Sequence, residues 1–95
     1  MKFPIEVAAV AFDLDGTLVD PLPLAYCAER FGVPNARLLM VGDSANDTAA
    51  ARAASCPVFC VAHGYRGGMA LHELDCDAIL TTVLDCLELI RPVRS

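Results

Sequence analysis

Two apolar segments of this chain each end in a short acidic stretch, and this pattern constrains the fold more than any other feature. The apolar segment 7–12 leads into Asp-Leu-Asp-Gly-Thr at 13–17. The apolar segment 38–41 leads into Gly-Asp-Ser-Ala-Asn-Asp at 42–47. Neither apolar run alternates with polar residues, which predicts two strands that are buried on both faces.

The spacing of the two acidic stretches predicts that the strands are parallel neighbours. Asp13 and Asp43 are about 30 positions apart, which leaves room for one helical crossover. Apolar periodicity, prolines, glycines and capping residues predict the other elements. In chain order these are a helix from Pro21 to Gly32, a helix capped by Ser44 or Asn46 with its body at 48–54, and a strand at 57–61. They are followed by a glycine-containing loop at 62–68, a short turn at 70–74 and a strand at 78–80. The last element is a helix from Thr81 or Thr82 to Ile90, with Val83, Leu87 and Ile90 on its inner face.

This alternation of strands and helices predicts an α/β fold. We expect one domain spanning 1–95, with an open parallel sheet of about four strands, flanking helices and right-handed crossovers. Abundant alanine, leucine and valine suit a buried parallel sheet under small-residue helices.

The charge distribution argues against a nucleic-acid surface. The net charge is −5, from 7 basic and 12 acidic residues. Five of the acids lie in or beside the two motifs: Asp13, Asp15, Asp20, Asp43 and Asp47. Without them, acidic and basic residues are equal in number, so the acidity is local.

The remaining composition predicts a cytoplasmic protein without a membrane anchor. No apolar stretch approaches the roughly 20 residues of a membrane span, and the N-terminal segment is too short and too acidic for a secretory signal. The chain has five cysteines and no C-x-x-C pair. Buried thiols in a reducing compartment explain that pattern better than a zinc site does.

The carboxyl ends of neighbouring parallel strands are where ligands bind in open α/β sheets. That geometry brings Asp13, Asp15, Asp43 and Asp47 together. Because four carboxylates repel one another unless a cation joins them, the predicted ligand is a hard divalent metal such as Mg²⁺. The alternative for Asp47 and Ser44 is a structural role, since both residue types are common in turns and helix caps.

The two motifs resemble those of the haloacid dehalogenase (HAD) superfamily. Residues 13–17 match its first motif, DxDGT, and residues 42–47 match its last, GDSxND. Within the superfamily, the stretch 21–62 resembles the C-terminal half of phosphoglycolate phosphatases, and residues 64–65 resemble the loop that follows it. The resemblance implies a Rossmann-like core and a Mg²⁺-dependent hydrolase of small phosphorylated metabolites.

The resemblance also implies a role for each residue. Asp13 is the candidate nucleophile, forming an aspartyl-phosphate. Asp15 is the candidate general acid and base. Backbone N–H groups near Gly16 and Thr17 are placed to cradle the phosphate. The metal ligands are then Asp13 and Asp15 together with two residues of the second motif, Asp43 and Asp47.

The segment between the motifs departs from the family pattern. Family members carry a cap domain, two core strands, a Ser/Thr motif and a Lys motif there. In this chain the two blocks meet at 18–21, and the sole lysine is Lys2. The sequence therefore predicts an internally deleted HAD core. The resemblance implies that the strand at 7–12, central in the complete family sheet, lies at an edge here, and an apolar edge strand favours pairing with a second copy of the chain. Two functions stay open: a strongly impaired phosphatase, or a non-catalytic, Mg²⁺-binding and self-associating remnant.

Overall fold

The backbone forms short parallel strands that alternate with helices. The computed structural model describes residues 3–13, 22–62 and 73–94. Its strands are β1 (Ile5–Val7), β2 (Ala9–Asp13), β3 (Leu38–Gly42), β4 (Val58–Val61), β5 (Ala78–Leu80) and β6 (Ile90–Pro92). Its α-helices are α1 (Leu22–Phe31) and α2 (Ala45–Ala53), and its 3-10 helices span Asn35–Arg37 and Val83–Glu88.

The main sheet has four parallel strands in the order β2-β3-β4-β5. The predicted α/β fold with an open parallel sheet and flanking helices is confirmed. In the described residues β2 lies at one edge and β5 at the other. The register aligns Asp13 with Gly42 and Gly42 with Cys60, so the carboxyl ends of three strands lie at one level.

The predicted strand at 7–12 is divided into two strands at Ala8. β1 pairs in parallel with β6, aligning Ile5 with Ile90 and Val7 with Pro92. Backbone hydrogen bonds from Ile5 N to Leu89 O and from Val93 N to Val7 O, both 2.9 Å, fix this two-stranded sheet. Partners so far apart in sequence leave no signal in local periodicity.

The predicted helix ending at Ile90 is wrong. A six-residue 3-10 helix, Val83–Glu88, precedes β6 instead. Leu87, assigned to the inner face, is 66% exposed, whereas Cys86 is buried. A 3-10 helix has three residues per turn, which changes which side chains share a face.

Two apolar layers cover the sheet. One lies between the strands and the two α-helices and includes Leu24, Ala28, Met40 and Ala51. The other lies on the opposite face, where Val41, Phe59 and Leu80 pack with residues of β1 and the 3-10 helix. Because β3 is buried along its whole length, it anchors both layers.

The helix α1 ends just before Gly32, as the sequence predicts. Gly32 has φ of +69°, a left-handed conformation in which glycine has no Cβ penalty. Gly32 N donates to Glu29 O at 3.1 Å, and Val33 N donates to Ala28 O at 3.0 Å. These bonds satisfy carbonyls of the last helical turn and direct the chain toward β3.

An ion pair joins α2 to the starts of β4 and β5. Arg52 donates to both carboxylate oxygens of Asp77, at 2.9 and 3.1 Å. Val58 N also donates to Asp77 at 2.9 Å. Burial tends to raise the pKa of Asp77, but the hydrogen bonds from Arg52 and Val58 outweigh it and leave the pKa below its ordinary value of 3.8.

We expect the free energy of unfolding to depend less steeply on pH in Asp77→Asn than in the wild type at acid pH. A carboxyl whose pKa is lowered on folding stabilises the protein above its unfolded-state pKa, and this contribution is lost as the pH falls through the folded-state value. The wild-type unfolding free energy should therefore fall below pH 3.8 more steeply than that of Asp77→Asn. Urea unfolding across this pH range measures the two slopes.

The matched control is Asp75→Asn. Asp75 also contacts Arg52, at 3.3 Å, but its carboxylate is 76% exposed. Exposed ion pairs contribute little, so the control should keep the wild-type slope. If the unfolding free energy of Asp77→Asn falls with pH as steeply as that of the wild type, Asp77 is not the source of the acid sensitivity.

Candidate functional site

The candidate site lies where β2 and β3 end. Asp13 is the last residue of β2 and is aligned with Gly42, the last residue of β3. Asp43 follows immediately. Neighbouring strands are about 4.8 Å apart, so the first residue of one acidic motif lies beside the first residue of the other.

A capping box forms the turn from β3 into α2. Ser44 is the N-cap, with extended dihedrals of −144° and 165°. Its side chain accepts a hydrogen bond from Asp47 N, while the Asp47 side chain accepts one from Ser44 N. This reciprocal arrangement satisfies backbone donors in the first helical turn and confirms Ser44 as the cap.

Asp47 is fully buried and organises the loop that carries Asp43. One carboxylate oxygen, Oδ2, accepts from Asp43 N at 2.8 Å, from Ser44 N at 3.1 Å and from Ser44 Oγ at 3.1 Å. Hydrogen bonds to an ionised acceptor are stronger than neutral ones. Asp47 therefore positions the backbone of Asp43, and its predicted role as a metal ligand stays a prediction.

Gly42 lets the helix start approach the strand end closely. A Cβ built at Gly42 would lie 2.4 Å from Asp47 Oδ2 and 2.5 Å from Asp47 Cβ. Real Cβ atoms do not make contacts this short. The glycine in the second motif is thus required by packing against Asp47, and its backbone needs no left-handed conformation.

Cys60 lies beside the candidate site, on β4. Its Cα is aligned with Gly42, and its side chain is fully buried. Burial, followed by the neighbouring Cys76 thiol and the negative charges of Asp47 and Asp43, raises the pKa of Cys60 far above its ordinary value. The thiol stays protonated and is a poor nucleophile. The sequence predicts only a buried thiol at this position, and its place near the carboxyl end of a strand is the signal that sets it apart.

The structure brings together part of the predicted site. It places the backbone of Asp13 and the side chains of Asp43 and Asp47. Asp15, Gly16 and Thr17 lie outside the described residues. Across 3–13, 22–62 and 73–94, no cluster of three or more histidine, cysteine, aspartate or glutamate side chains is arranged to hold a metal.

The donor chemistry nevertheless suits a hard cation. The second motif contributes carboxylate oxygens to the turn, and the β2–β3 register brings the first motif's backbone beside them. Oxygen donors are what Mg²⁺ prefers.

None of the helices in the described residues has the length and apolar character needed to span a bilayer.

Residues 20–86 match the family model described as HAD-hydrolase-like. The chain belongs to the HAD-hydrolase-like family. The match begins at the junction predicted from the sequence, and the first motif precedes it. This boundary agrees with two family-like blocks that meet near residue 20.

Similar proteins are HAD phosphatases. The chain is 56% identical over 66 residues to a phosphoglycolate phosphatase of Thiobacillus denitrificans, covering 70% of this chain and 29% of that protein. It is 49% identical over 72 residues to one of Nitrosospira multiformis, covering 76% and 32%. The crystal structure of a predicted phosphoglycolate phosphatase from Haemophilus somnus superimposes with a TM-score of 0.67 at 32% identity, covering 78% of this chain and 33% of that one.

These coverages show how much of a HAD phosphatase the chain represents. It spans about a third of the length of the relatives it matches. The family-model match at 20–86 includes the second motif and the parallel strands β4 and β5 beyond it.

Proposed function

We propose that the chain is a phosphomonoester hydrolase of the phosphoglycolate phosphatase type, dependent on Mg²⁺ and strongly impaired in this short form. One observation carries the proposal. The β2–β3 register aligns Asp13 with Gly42, so the first residues of both acidic motifs lie side by side. The family membership and the named relatives support the same reaction class.

The chemistry divides hydrolysis into two displacements at phosphorus. In the first, an Asp13 carboxylate oxygen attacks phosphorus and the ester oxygen leaves, protonated by Asp15. This forms an aspartyl-phosphate on Asp13. In the second, Asp15 removes a proton from water, which attacks phosphorus and releases inorganic phosphate and free Asp13. Backbone N–H groups at Gly16 and Thr17 hold the phosphate oxygens.

Asp13, Asp15 and Asp43 are the residues proposed to hold Mg²⁺, with Asp47 a further or water-mediated ligand. When bound, the cation offsets the repulsion between the nucleophile and the phosphate. The contacts of Asp47 with Asp43 N and Ser44 N support its part in ordering this side of the site.

The proposed substrates are small phosphorylated metabolites, with phosphoglycolate favoured because the similar proteins carry that name. We place the reaction in the cytoplasm. All five cysteines are free thiols in the structure, which supports a reducing compartment.

Two features support weak catalysis. The sole lysine is Lys2, far in sequence from both motifs, and no segment matches the Ser/Thr motif. Preorganised donors of these kinds each contribute a few kcal/mol in the transition state. Losing both costs several orders of magnitude in turnover if their effects are even partly independent.

A non-catalytic Mg²⁺-binding remnant is the second candidate. The observation that favours it is coverage, since the chain represents about a third of each compared phosphatase. In that case the carboxylates bind the cation and no turnover follows.

Phosphatase assays on the whole chain test the proposal. With Mg²⁺ and either phosphoglycolate or an aryl phosphate, we expect turnover well below the usual enzyme range of about 1–10³ s⁻¹. Asp13→Asn should abolish it, because the amide is not a nucleophile. The matched control is Asp75→Asn, which changes an exposed carboxylate in the segment before β5 and should keep the wild-type rate.

Thermal melts separate the two candidates. Mg²⁺ should raise the midpoint of the wild type, because a ligand of the folded state stabilises it, and Asp43→Asn should lose the shift. A Mg²⁺ shift without Asp13-dependent turnover establishes the non-catalytic remnant. Activity that Asp13→Asn leaves unchanged comes from a contaminant, and absence of both signals contradicts both candidates.

A further inference from the structure

The outer edge of β2 is open in the described part of the chain. Only β3 pairs with β2 there. Ala8 N donates to Arg37 O at 2.8 Å, so the backbone groups of Ala8 face β3. Because these groups alternate between the two sides of a strand, those of Ala9, Ala11 and Asp13 face away from β3.

β6 covers the same side of the chain only before β2 begins. Ile5 N and Val7 O bond to the segment 89–93, and that contact ends with the bond from Val93 N to Val7 O. The open edge therefore starts at Ala9. Residues 9–12 contain no charge and no proline, the two features that protect many natural edge strands.

A groove of about 610 Å³ lies at the start of this edge. It is lined by residues 8–10, by Phe31 at the end of α1 and Val33 just after it, and by Val93 and Arg94 after β6. Polar and apolar groups contribute equally to this lining, and the volume is large enough for an aromatic side chain.

An exposed aromatic side chain lies at the other end of β2. Phe12 is 56% exposed. It is two residues from Val10, so both side chains lie on the same face of the sheet. Val10 packs against the apolar layer that contains Phe59. The strand thus carries a groove at its start and a projecting ring near its end.

We propose that two copies of the chain associate through β2 as a two-fold symmetric dimer, with antiparallel pairing centred on Ala11. This register uses the whole open edge, because Ala9 of one copy is opposite Asp13 of the other. It also sets Phe12 of one copy opposite Val10 of the other, beside the groove. The pairing is self-complementary, as an isologous interface requires, and forms one eight-stranded sheet.

The other edge of the sheet is a weaker candidate. β5 has three residues, and Ile79 is 45% exposed there. A shorter edge offers fewer backbone pairs. The proposal concerns assembly and does not depend on the proposed catalytic function.

Sedimentation equilibrium of the whole chain over a concentration series tests the dimer. We expect a monomer–dimer equilibrium in the wild type. Phe12→Lys should raise the dissociation constant about tenfold or more, because a symmetric interface contains each substitution twice. Leu84→Lys is the matched control, at a side chain that is 73% exposed on the 3-10 helix Val83–Glu88, and it should leave the constant unchanged.

Amide hydrogen exchange on the wild type locates the interface without any substitution. Protection of residues 9–13 should increase with protein concentration, and that of residues 78–80 should not. A monomer at every concentration overturns the proposal. So does a dimer that Ile79→Lys weakens and Phe12→Lys does not, because that result assigns the contact to β5.

Discussion

Gly42→Ala is expected to lower the free energy of unfolding by about 3 kcal/mol, a cost near the upper end of overpacking in buried sites. The added methyl group would meet Asp47 Oδ2 at 2.4 Å and Asp47 Cβ at 2.5 Å. Asp47 is fully buried and bound by three donors, so it cannot rotate away without breaking the capping box. Urea unfolding followed by circular dichroism measures the loss.

Gly32→Ala is the matched control for this substitution. Gly32 has φ of +69° and open space around its Cα, so an alanine there meets backbone strain alone, about 1 kcal/mol. Asp47→Ala should not rescue Gly42→Ala, because the Cβ of residue 47 remains. Equal losses for the two glycine substitutions would contradict the packing explanation.

Asp47→Ala is expected to destabilise the fold by about 3 kcal/mol. The substitution leaves the N–H groups of Asp43 and Ser44 without their acceptor in a partly buried turn, and it removes the Asp47 half of the capping box. Unfolding in urea measures the change, and the Mg²⁺-induced shift of the melting midpoint should also shrink, because the Asp43 backbone is no longer held.

A second capping box in the chain provides the control. Asp85 accepts hydrogen bonds from Thr81 N at 2.9 Å and from Thr82 N at 3.1 Å, at an exposed 3-10 helix. Water replaces its bonds, so Asp85→Ala should cost about 1 kcal/mol. If the two alanine variants lose the same stability, burial of Asp47 is not what makes its hydrogen bonds important.

Local sequence signals determined most elements of the main sheet. The predicted strands at 38–41, 57–61 and 78–80 correspond to β3, β4 and β5, and Ser44 caps α2 as expected. These signals are short-range: an unbroken apolar run, a capping residue or a glycine stop reports on neighbouring residues alone. The two motifs by themselves likewise indicate the HAD family, without any information from the fold.

The tertiary structure decided the features that depend on distant partners. Ile90 belongs to a strand because Ile5 pairs with it, and Ala8 divides one predicted strand because β6 pairs only with the residues before it. The burial of Asp47 against Gly42 shows that a predicted ligand also organises its own loop. Composition and spacing determine which residues reach one edge of a sheet, whereas contacts between distant segments decide what each of them does there.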